Sequence, residues 1–214
     1  MLYNELNVNT LREINNFLGA KDPVLGSILY DNVDCPLLHN PIITEDFLLY
    51  RICKTIVSQQ LSTRAANTIW SRFENGLTTT NDLKKRVLEL DETALNEFGI
   101  SRQKVSYLKN LVRRSANGKF SLVALFKLSD KQIIDQLTSL KGIGVWSSEM
   151  FLIFCFKRLD VFSFGDSGLN KALKLLYENQ ELGHREIAQI TSNWSPYRSV
   201  ASWFLWRSLD SEKL

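Results

Sequence analysis

Apolar residues recur at intervals of three and four along most of the chain, and this spacing limits what it can fold into. In residues 166–178, DSGLNKALKLLYE, leucine, alanine and tyrosine fall at helical spacing on one face. Ser129 and Gln132 form a capping box before another such segment, and Asn117-Gly118 ends a third. The sustained two-residue alternation of strands is absent. The pattern predicts an all-α protein of about nine or ten short helices.

The predicted organisation is that of one domain, residues 1–214. Residues 1–44 are expected to be an N-terminal helix and a connector. Residues 45–208 are expected to form the core, in which two helices meet near residues 60–63. Ser195-Pro196 is predicted to supply the N-cap and the first residue of the last helix.

The composition excludes several classes of protein. Of 214 residues, 44% are hydrophobic, yet no apolar run reaches the length of about 18 to 20 residues needed to cross a membrane. The start, MLYNELNVNT, lacks the features of a signal peptide, so we expect a soluble intracellular protein without a membrane partner. Cys35, Cys53 and Cys155 are odd in number and widely spaced, which argues against disulfide, zinc and four-cysteine iron–sulfur frameworks. Each is predicted to be a small buried side chain.

The charge is distributed unevenly. Residues 1–50 carry two basic and seven acidic side chains, whereas the rest of the chain carries 24 basic and 16 acidic ones. Residues 101–119 hold six basic groups and no acidic one. A polyanion is a plausible partner for this part of the chain, although from charge alone a solvated helix face is the favoured interpretation.

The stretch LKGIGVWSSEM, residues 140–150, joins two predicted helices through Gly-Ile-Gly. With its flanks it predicts a helix–hairpin–helix over residues 129–157, whose second helix runs from Val145 to about residue 157. Such a turn directs backbone N–H groups outward at the positive end of a helix, where a phosphate oxygen can bind. Gly142 and Gly144 would let a phosphate reach the backbone. An ordinary corner between helices gives the same pattern, so G-x-G alone is weak.

One acidic residue, Asp166, follows in LDVFSFGDSGL, directly before an amphipathic helix. An aspartate there commonly serves as an N-cap. The same position keeps the carboxylate ionised, because helix N–H groups and the helix dipole favour the anion. A negative charge beside a DNA-binding turn can stabilise the oxocarbenium-like transition state of glycosidic bond cleavage.

These residues stand in a recognisable order. L-x-G-I-G-x-W, an apolar helix, D-V-F, and an aspartate opening a G-L-x-x-A-L helix resemble the AlkA-type 3-methyladenine DNA glycosylases of the helix–hairpin–helix superfamily, most closely the small fungal, fission-yeast-like members. The resemblance covers about residues 45–208 and includes VSQQLSTRAANTIWSRF at 57–73 and WSPYRSVASWFLW at 194–206. It implies a helix–hairpin–helix glycosylase fold with two helical subdomains and the active-site cleft between them.

The resemblance also implies an activity. Asp166 falls on the family's catalytic aspartate, and Trp146 falls where bifunctional relatives keep a Schiff-base lysine. Tryptophan has no amine, so a monofunctional glycosylase with water as nucleophile is expected. It would act as a monomer in the nucleus, flip a damaged purine out of duplex DNA and hydrolyse its N-glycosidic bond in base excision repair.

The same resemblance assigns binding residues. The pocket of the flipped base is assigned to Trp146, Met150 and Trp206, an aromatic surface that suits cationic alkylated purines. Trp70 and Trp194 are assigned to the core, and Trp203 is left open. Gln60 is the predicted wedge that fills the gap in the duplex, although a polar helix junction is the alternative. The other predicted DNA contacts are Leu61, Ser62 (in the minor groove), Lys141, Gly142, Gly144, Val145 and Ser147.

A monovalent cation, Na⁺ or K⁺, is implied at the hairpin, held by the backbone carbonyls of Thr138, Leu140 and Ile143; no other cofactor is expected. Gly165, directly before Asp166, and Met150, where some relatives have an aromatic, depart from the family pattern. They motivate an alternative, a paralogue that binds DNA lesions or structures with weak or no excision. A helical scaffold without nucleic acid is a third possibility, and the choice among 3-methyladenine, 7-methylguanine, ethenoadenine and hypoxanthine stays open.

Overall fold

The computed structural model describes residues 8–39, 42–75, 77, 79–89, 91–118 and 120–210. Within these ranges the chain is helical and contains no strand, so the all-α prediction is confirmed. Short 3₁₀ segments lie at Pro36–Leu38 and Val123–Lys127. The described α-helices are α1 (Val8–Lys21), α2 (Pro23–Gly26), α3 (Glu45–Ser58), α4 (Thr63–Glu74), α5 (Thr80–Glu89), α6 (Glu92–Glu97), α7 (Arg102–Ala116), α8 (Asp130–Thr138), α9 (Val145–Phe154), α10 (Ser167–Leu176), α11 (His184–Ser192) and α12 (Arg198–Asp210).

Side-chain caps decide where many of these helices begin. Thr44, Ser62, Ser101 and Asp166 each accept a hydrogen bond from a backbone N–H of the first turn that follows. At Ser129 both halves of the predicted capping box are present. Since a cap of this kind stabilises a helix by about 1 kcal/mol, short helices become possible in this chain.

The chain divides into two compact units. The central unit comprises residues 42–148, and the terminal unit combines the N-terminal segment up to residue 41 with residues 149–214. In the central unit α3 packs against α4, α5 and α7. Its core includes Ile52, Trp70 and Phe73, each at most 1% exposed. The chain passes from the central to the terminal unit within α9.

In the terminal unit the acid Asp22 connects the two ends of the chain. Its carboxylate caps α2 by accepting from the Leu25 N–H at 3.0 Å. It also accepts the indole N–H of Trp194 at 2.7 Å and the hydroxyl of Tyr177. Trp194 is fully buried, as predicted for a core residue, and so is Trp70 in the central unit. These long-range bonds explain why an N-terminal segment joins the C-terminal helices in one unit.

Two predicted helix ends are wrong. The last helix begins at Arg198, because Ser195 and Arg198 both donate hydrogen bonds to Asp160 instead of opening a helix at Pro196. The second helix of the hairpin ends at Phe154, short of residue 157. Lys157 lies in the left-handed region with φ 56°, and the Phe156 and Arg158 N–H groups donate back into the last turn, which is a common way for a helix to end.

The three cysteines are buried, as predicted. Burial raises the pKa of the Cys35 thiol to about 11 and that of Cys53 to about 12, so both remain protonated at neutral pH. Among the described helices none combines the length and the apolar character that spanning a bilayer requires.

Candidate functional site

The hairpin belongs to the central unit and joins α8 to α9. Gly142 adopts φ +89°, a conformation that side chains other than glycine rarely take. The ring of Tyr107, from α7, packs directly beneath it: a Cβ on Gly142 would lie 2.2 Å from Tyr107 Cδ2. The fold itself therefore requires glycine at 142, independently of any ligand.

Gly144 has a different environment. A Cβ on Gly144 would meet nothing within 4 Å, and its φ lies outside the left-handed region. Gly144 directly precedes Val145, the first residue of α9. The protein's own packing therefore leaves room at this residue, which suits a close approach of a ligand to the backbone.

The predicted wedge is braced against the hairpin. Gln60 has φ 58°, an unusual conformation for a residue other than glycine. The amide nitrogen Nε2 of its neighbour Gln59 donates to the Gly142 carbonyl at 2.6 Å and to Ser147 Oγ at 3.3 Å. On the other side, Lys104 Nζ donates to the carbonyls of Val57 at 2.8 Å and Gln59 at 2.6 Å. The segment of the predicted wedge, Gln59-Gln60, and the hairpin are thus held in one arrangement within the central unit.

Sequence reasoning missed Gln59, Lys104 and Tyr107 as supports of this arrangement. Burial lowers the pKa of Lys104, and its ammonium group holds carbonyls at the end of α3. The basic run around Lys104 was visible in the sequence, but no local pattern distinguishes this lysine from its exposed neighbours.

Apolar side chains are exposed beside Gln60 and on the hairpin. Leu61 is 37% exposed, Val145 55% and Trp146 47%. Exposed apolar side chains at such tips are typical of surfaces that enter a ligand or partner. Lys141 is also exposed, and Ser62 caps α4 by accepting from the Ala65 N–H at 3.3 Å while its hydroxyl stays accessible.

Ser147 differs from the exposed hairpin residues. Its side chain is buried, and its hydroxyl accepts from Gln59. A phosphate would therefore meet its backbone N–H, in the first turn of α9, rather than the hydroxyl.

The backbone oxygens of the hairpin suit the donor set of an alkali cation. The carbonyls of Gly142 and Gly144 already accept from Gln59 and Ser148. Leu140, whose carbonyl is one of the predicted cation ligands, accepts one turn hydrogen bond from Ile143 N at 3.1 Å and retains a second lone pair. The backbone carbonyls of Thr138, Leu140 and Ile143 remain the predicted ligands of the cation. Among the described residues no cluster of histidine, cysteine and acidic side chains could hold a metal ion.

Asp166 lies in the terminal unit at the N-cap of α10, as expected. Its Oδ1 accepts the Leu169 N–H at 2.8 Å and the Trp206 indole N–H at 3.1 Å. Only 7% of the residue is exposed. The two N–H donors hold the Asp166 carboxylate in a defined orientation at the N-terminus of α10.

The loop before Asp166 is fixed despite Gly165. The Asp166 N–H donates to the Ser163 carbonyl at 3.1 Å, and Asn170 Nδ2 donates to the Phe164 carbonyl at 3.0 Å. A Cβ on Gly165 would meet nothing within 4 Å, so glycine is not forced there by packing. The departure at Gly165 therefore does not leave Asp166 loose.

Trp206 is brought to Asp166 by α12. It is partly buried and packs on Phe154 with ring centroids 5.7 Å apart. Trp203, which the sequence left open, is 7% exposed and packs on Phe204 with Arg207 over its ring, so it belongs to the packed side of α12. Met150 is partly buried in α9.

A second acid, Glu149 of α9, also lies near Asp166 and was missed in the sequence. Its Oε2 accepts a hydrogen bond from Ser163 Oγ at 2.5 Å. Burial and the negative charge of Asp166 raise the pKa of Glu149, against the opposing effect of the Ser163 hydrogen bond. Sequence spacing offered no signal, since Glu149 and Asp166 belong to different helices.

The arrangement of helices and hairpin matches a known class of protein. Residues 53–196 match the family model described as the HhH-GPD superfamily base excision DNA repair protein, so the chain belongs to this superfamily. A fission-yeast protein named alkylbase DNA glycosidase-like protein mag2 is 29% identical, over 73% of this chain and 75% of its own length. The DNA-3-methyladenine glycosylase of Saccharomyces cerevisiae is 31% identical, over 87% of this chain and 76% of its own length.

Solved structures agree with this assignment. A DNA-3-methyladenine glycosidase from Bacillus halodurans superposes with a TM-score of 0.77 at 29% identity, over 94% of this chain and 90% of that one. The 3-methyladenine DNA glycosylase Mag1 of Schizosaccharomyces pombe, solved with abasic DNA, has a TM-score of 0.74 at 23% identity, over 92% and 97% of the two chains. The predicted helix–hairpin–helix glycosylase fold is thereby confirmed.

Proposed function

We propose that this chain is a monofunctional DNA glycosylase that removes alkylated purines of the 3-methyladenine type from duplex DNA. The observation that carries the proposal is the buried carboxylate of Asp166, oriented by Leu169 N–H and Trp206 Nε1–H. In a chain of this superfamily, such an anion can stabilise the cationic sugar of the transition state. The relatives named as 3-methyladenine glycosylases support the substrate class.

The absence of lyase activity follows from Trp146. A tryptophan at the position where bifunctional relatives keep a lysine has no amine to form a Schiff base. Water is then the nucleophile, and the product is an abasic site with an intact strand. The residues that the resemblance assigns to the base pocket, Trp146, Met150 and Trp206, include two aromatic rings, and such rings favour purines that carry a formal positive charge.

Duplex DNA is the partner in this proposal, and the nucleus is the compartment that such a substrate implies. Gln60 and Leu61 would enter the duplex, and the hairpin N–H groups around Gly144 and Val145 would hold a phosphate. A Na⁺ or K⁺ ion on the carbonyls of Thr138, Leu140 and Ile143 would add positive charge beside that phosphate.

Replacing Asp166 tests the proposal directly. We expect Asp166→Asn to lower the release of 3-methyladenine from dimethyl-sulfate-treated DNA by at least about 100-fold, because the anion is lost. Asparagine remains a good N-cap, so the variant should fold and bind an abasic-site analogue normally. Chromatography of the released bases and a gel run without alkali measure excision and strand cleavage. Asp135→Asn, at an exposed aspartate of α8, is the matched control.

The outcomes separate the two candidate functions. Equal release by wild type and Asp166→Asn would remove Asp166 from the mechanism. Tight binding of the abasic analogue by a wild-type protein that releases no base would favour the lesion-binding alternative. Strand cleavage by the wild type would contradict the assignment made from Trp146.

A further inference from the structure

Glu149 was not among the residues predicted for the site. It lies in the second turn of α9, half-buried, and accepts a hydrogen bond from Ser163 Oγ at 2.5 Å. Ser163 is fully buried, and its carbonyl accepts the Asp166 N–H at 3.1 Å. Glu149, Ser163 and Asp166 therefore form a connected group within the terminal unit.

The two carboxylates have different surroundings. Asp166 is almost completely buried, and its Oδ1 is engaged by two N–H donors. Glu149 is more open to solvent, and burial together with the charge of Asp166 raises its pKa. A half-buried acid with a raised pKa, placed beside a second carboxylate that is buried and engaged by N–H donors, is typical of sites in which the two acids have different roles.

The negative charge at Glu149 is not needed for the fold. Ser163 requires only an acceptor, and a glutamine oxygen would accept its hydrogen bond equally well. A half-buried carboxylate beside a second one instead destabilises the folded state, since both charges repel and lose solvation. Groups that destabilise the fold in this way concentrate at functional sites.

We propose that Glu149 is a second catalytic carboxylate, the general base that takes a proton from the attacking water while Asp166 stabilises the sugar cation. This inference rests on the function proposed above. The water oxygen bonds to C1′ of the sugar, the C1′–N bond breaks, and its electron pair leaves with the base. The water proton passes to Glu149 and then to solvent. A cationic methylated purine leaves as a neutral base, so it needs no proton.

The test compares variants in single-turnover excision of 3-methyladenine. We expect Glu149→Gln to keep the Ser163 hydrogen bond and the affinity for an abasic-site analogue, while its rate falls by about 100-fold, the usual loss when a general base is removed. Glu181→Gln, at an exposed glutamate of the same unit, is the matched control and should retain the wild-type rate. Asp166→Asn is measured in parallel.

A pH profile distinguishes catalysis from support of the loop. Asp166, at the N-cap of α10, is the charged group that acts on Glu149, and α9 contains no other charged residue. The wild-type rate should fall in acid as Glu149 is protonated, and that part of the profile should be lost in Glu149→Gln. If Glu149 only held the loop, Ser163→Ala, which loses the hydrogen bond, would be at least as slow as Glu149→Gln, which keeps it, and the acid limb would persist in Glu149→Gln. These results would overturn the proposal.

The remaining outcomes are also decisive. A wild-type rate in Glu149→Gln, with Asp166→Asn inactive, would overturn the role of Glu149 and leave the glycosylase assignment intact. Absence of base release from the wild type itself would overturn both.

Discussion

Single residues can have different structural roles even where the sequence makes them look alike. Gly142 and Gly144 are two apart in one turn, yet Gly142 lies over the ring of Tyr107 at φ +89° and Gly144 faces open space. Alanine variants of these two glycines can therefore separate an effect on folding from an effect on DNA binding.

We expect Gly142→Ala to lower the free energy of unfolding by about 1–3 kcal/mol, because its Cβ would overlap the Tyr107 ring in a left-handed backbone conformation. Gly144→Ala should leave stability within about 0.5 kcal/mol of wild type and weaken binding to an abasic-site duplex. Urea unfolding and fluorescence anisotropy measure the two effects. Equal stability of both alanine variants would show that Tyr107 does not restrict Gly142.

The site residues illustrate what single positions in the sequence could reveal. Asp166 was predicted because its N-cap role is readable from the helix pattern that follows it. Glu149 was not, because its significance depends on Ser163 and Asp166, which the fold brings to it from 14 and 17 positions away. Asp166 and Trp206, 40 residues apart, were linked through the family resemblance rather than through spacing.

At the scale of helices and loops, one ion pair orders the start of α12. Asp160 accepts from Arg198 Nε at 2.7 Å, from Arg198 Nη2 at 3.0 Å and from Ser195 Oγ at 2.8 Å. Burial alone would raise the pKa of Asp160, but the hydrogen bonds and charge of Arg198, with the bond from Ser195, outweigh it and lower the pKa below 3.8. The folded state therefore favours the ionised acid.

This pairing predicts a pH-dependent contribution to stability. A lowered pKa stabilises the folded protein above the ordinary value of 3.8, and that contribution is lost as the pH falls through the folded-state pKa. The difference in melting temperature between wild type and Asp160→Asn should therefore be largest near neutral pH and shrink in acid. Thermal melts across this range measure it. A difference that stays constant with pH would show that the charge of Asp160 contributes nothing.

Helix existence was more predictable than helix ends. The capping box at Ser129 and the N-cap Asp166 were readable because they depend on residues within one turn. The start of α12 was not, since Ser195 is drawn to Asp160, 35 residues earlier, and this bond competes with the local capping signal.

Across the whole molecule, membership of a DNA repair superfamily and the excess of basic charge after residue 50 together predict binding to DNA that weakens with salt. Lys141, exposed in the hairpin, is the residue expected to contact a phosphate there. Lys131, exposed in α8, is also a lysine but lies outside the turn that joins α8 to α9.

We expect Lys141→Gln to reduce the slope of log affinity against log salt concentration by about 1, the contribution of one phosphate contact. Lys131→Gln should leave the slope unchanged. Anisotropy titrations with an abasic-site duplex between about 50 and 200 mM salt measure both slopes. If the two variants lost the same amount, the effect would reflect net charge rather than the hairpin.

Local sequence patterns predicted the helical class, because helix formation depends on residues three and four apart and on caps within one turn. The order of the motifs predicted the family, whereas the predicted nine or ten helices fell short of the twelve α-helices in the described residues. Only the folded chain shows which distant groups meet: Asp22 with Trp194, Gln59 with Gly142, and Glu149 with Ser163 and Asp166. These contacts depend on how the packed helices bring together side chains far apart in the chain. Local periodicity cannot predict these contacts, because each one depends on the packing of the whole unit.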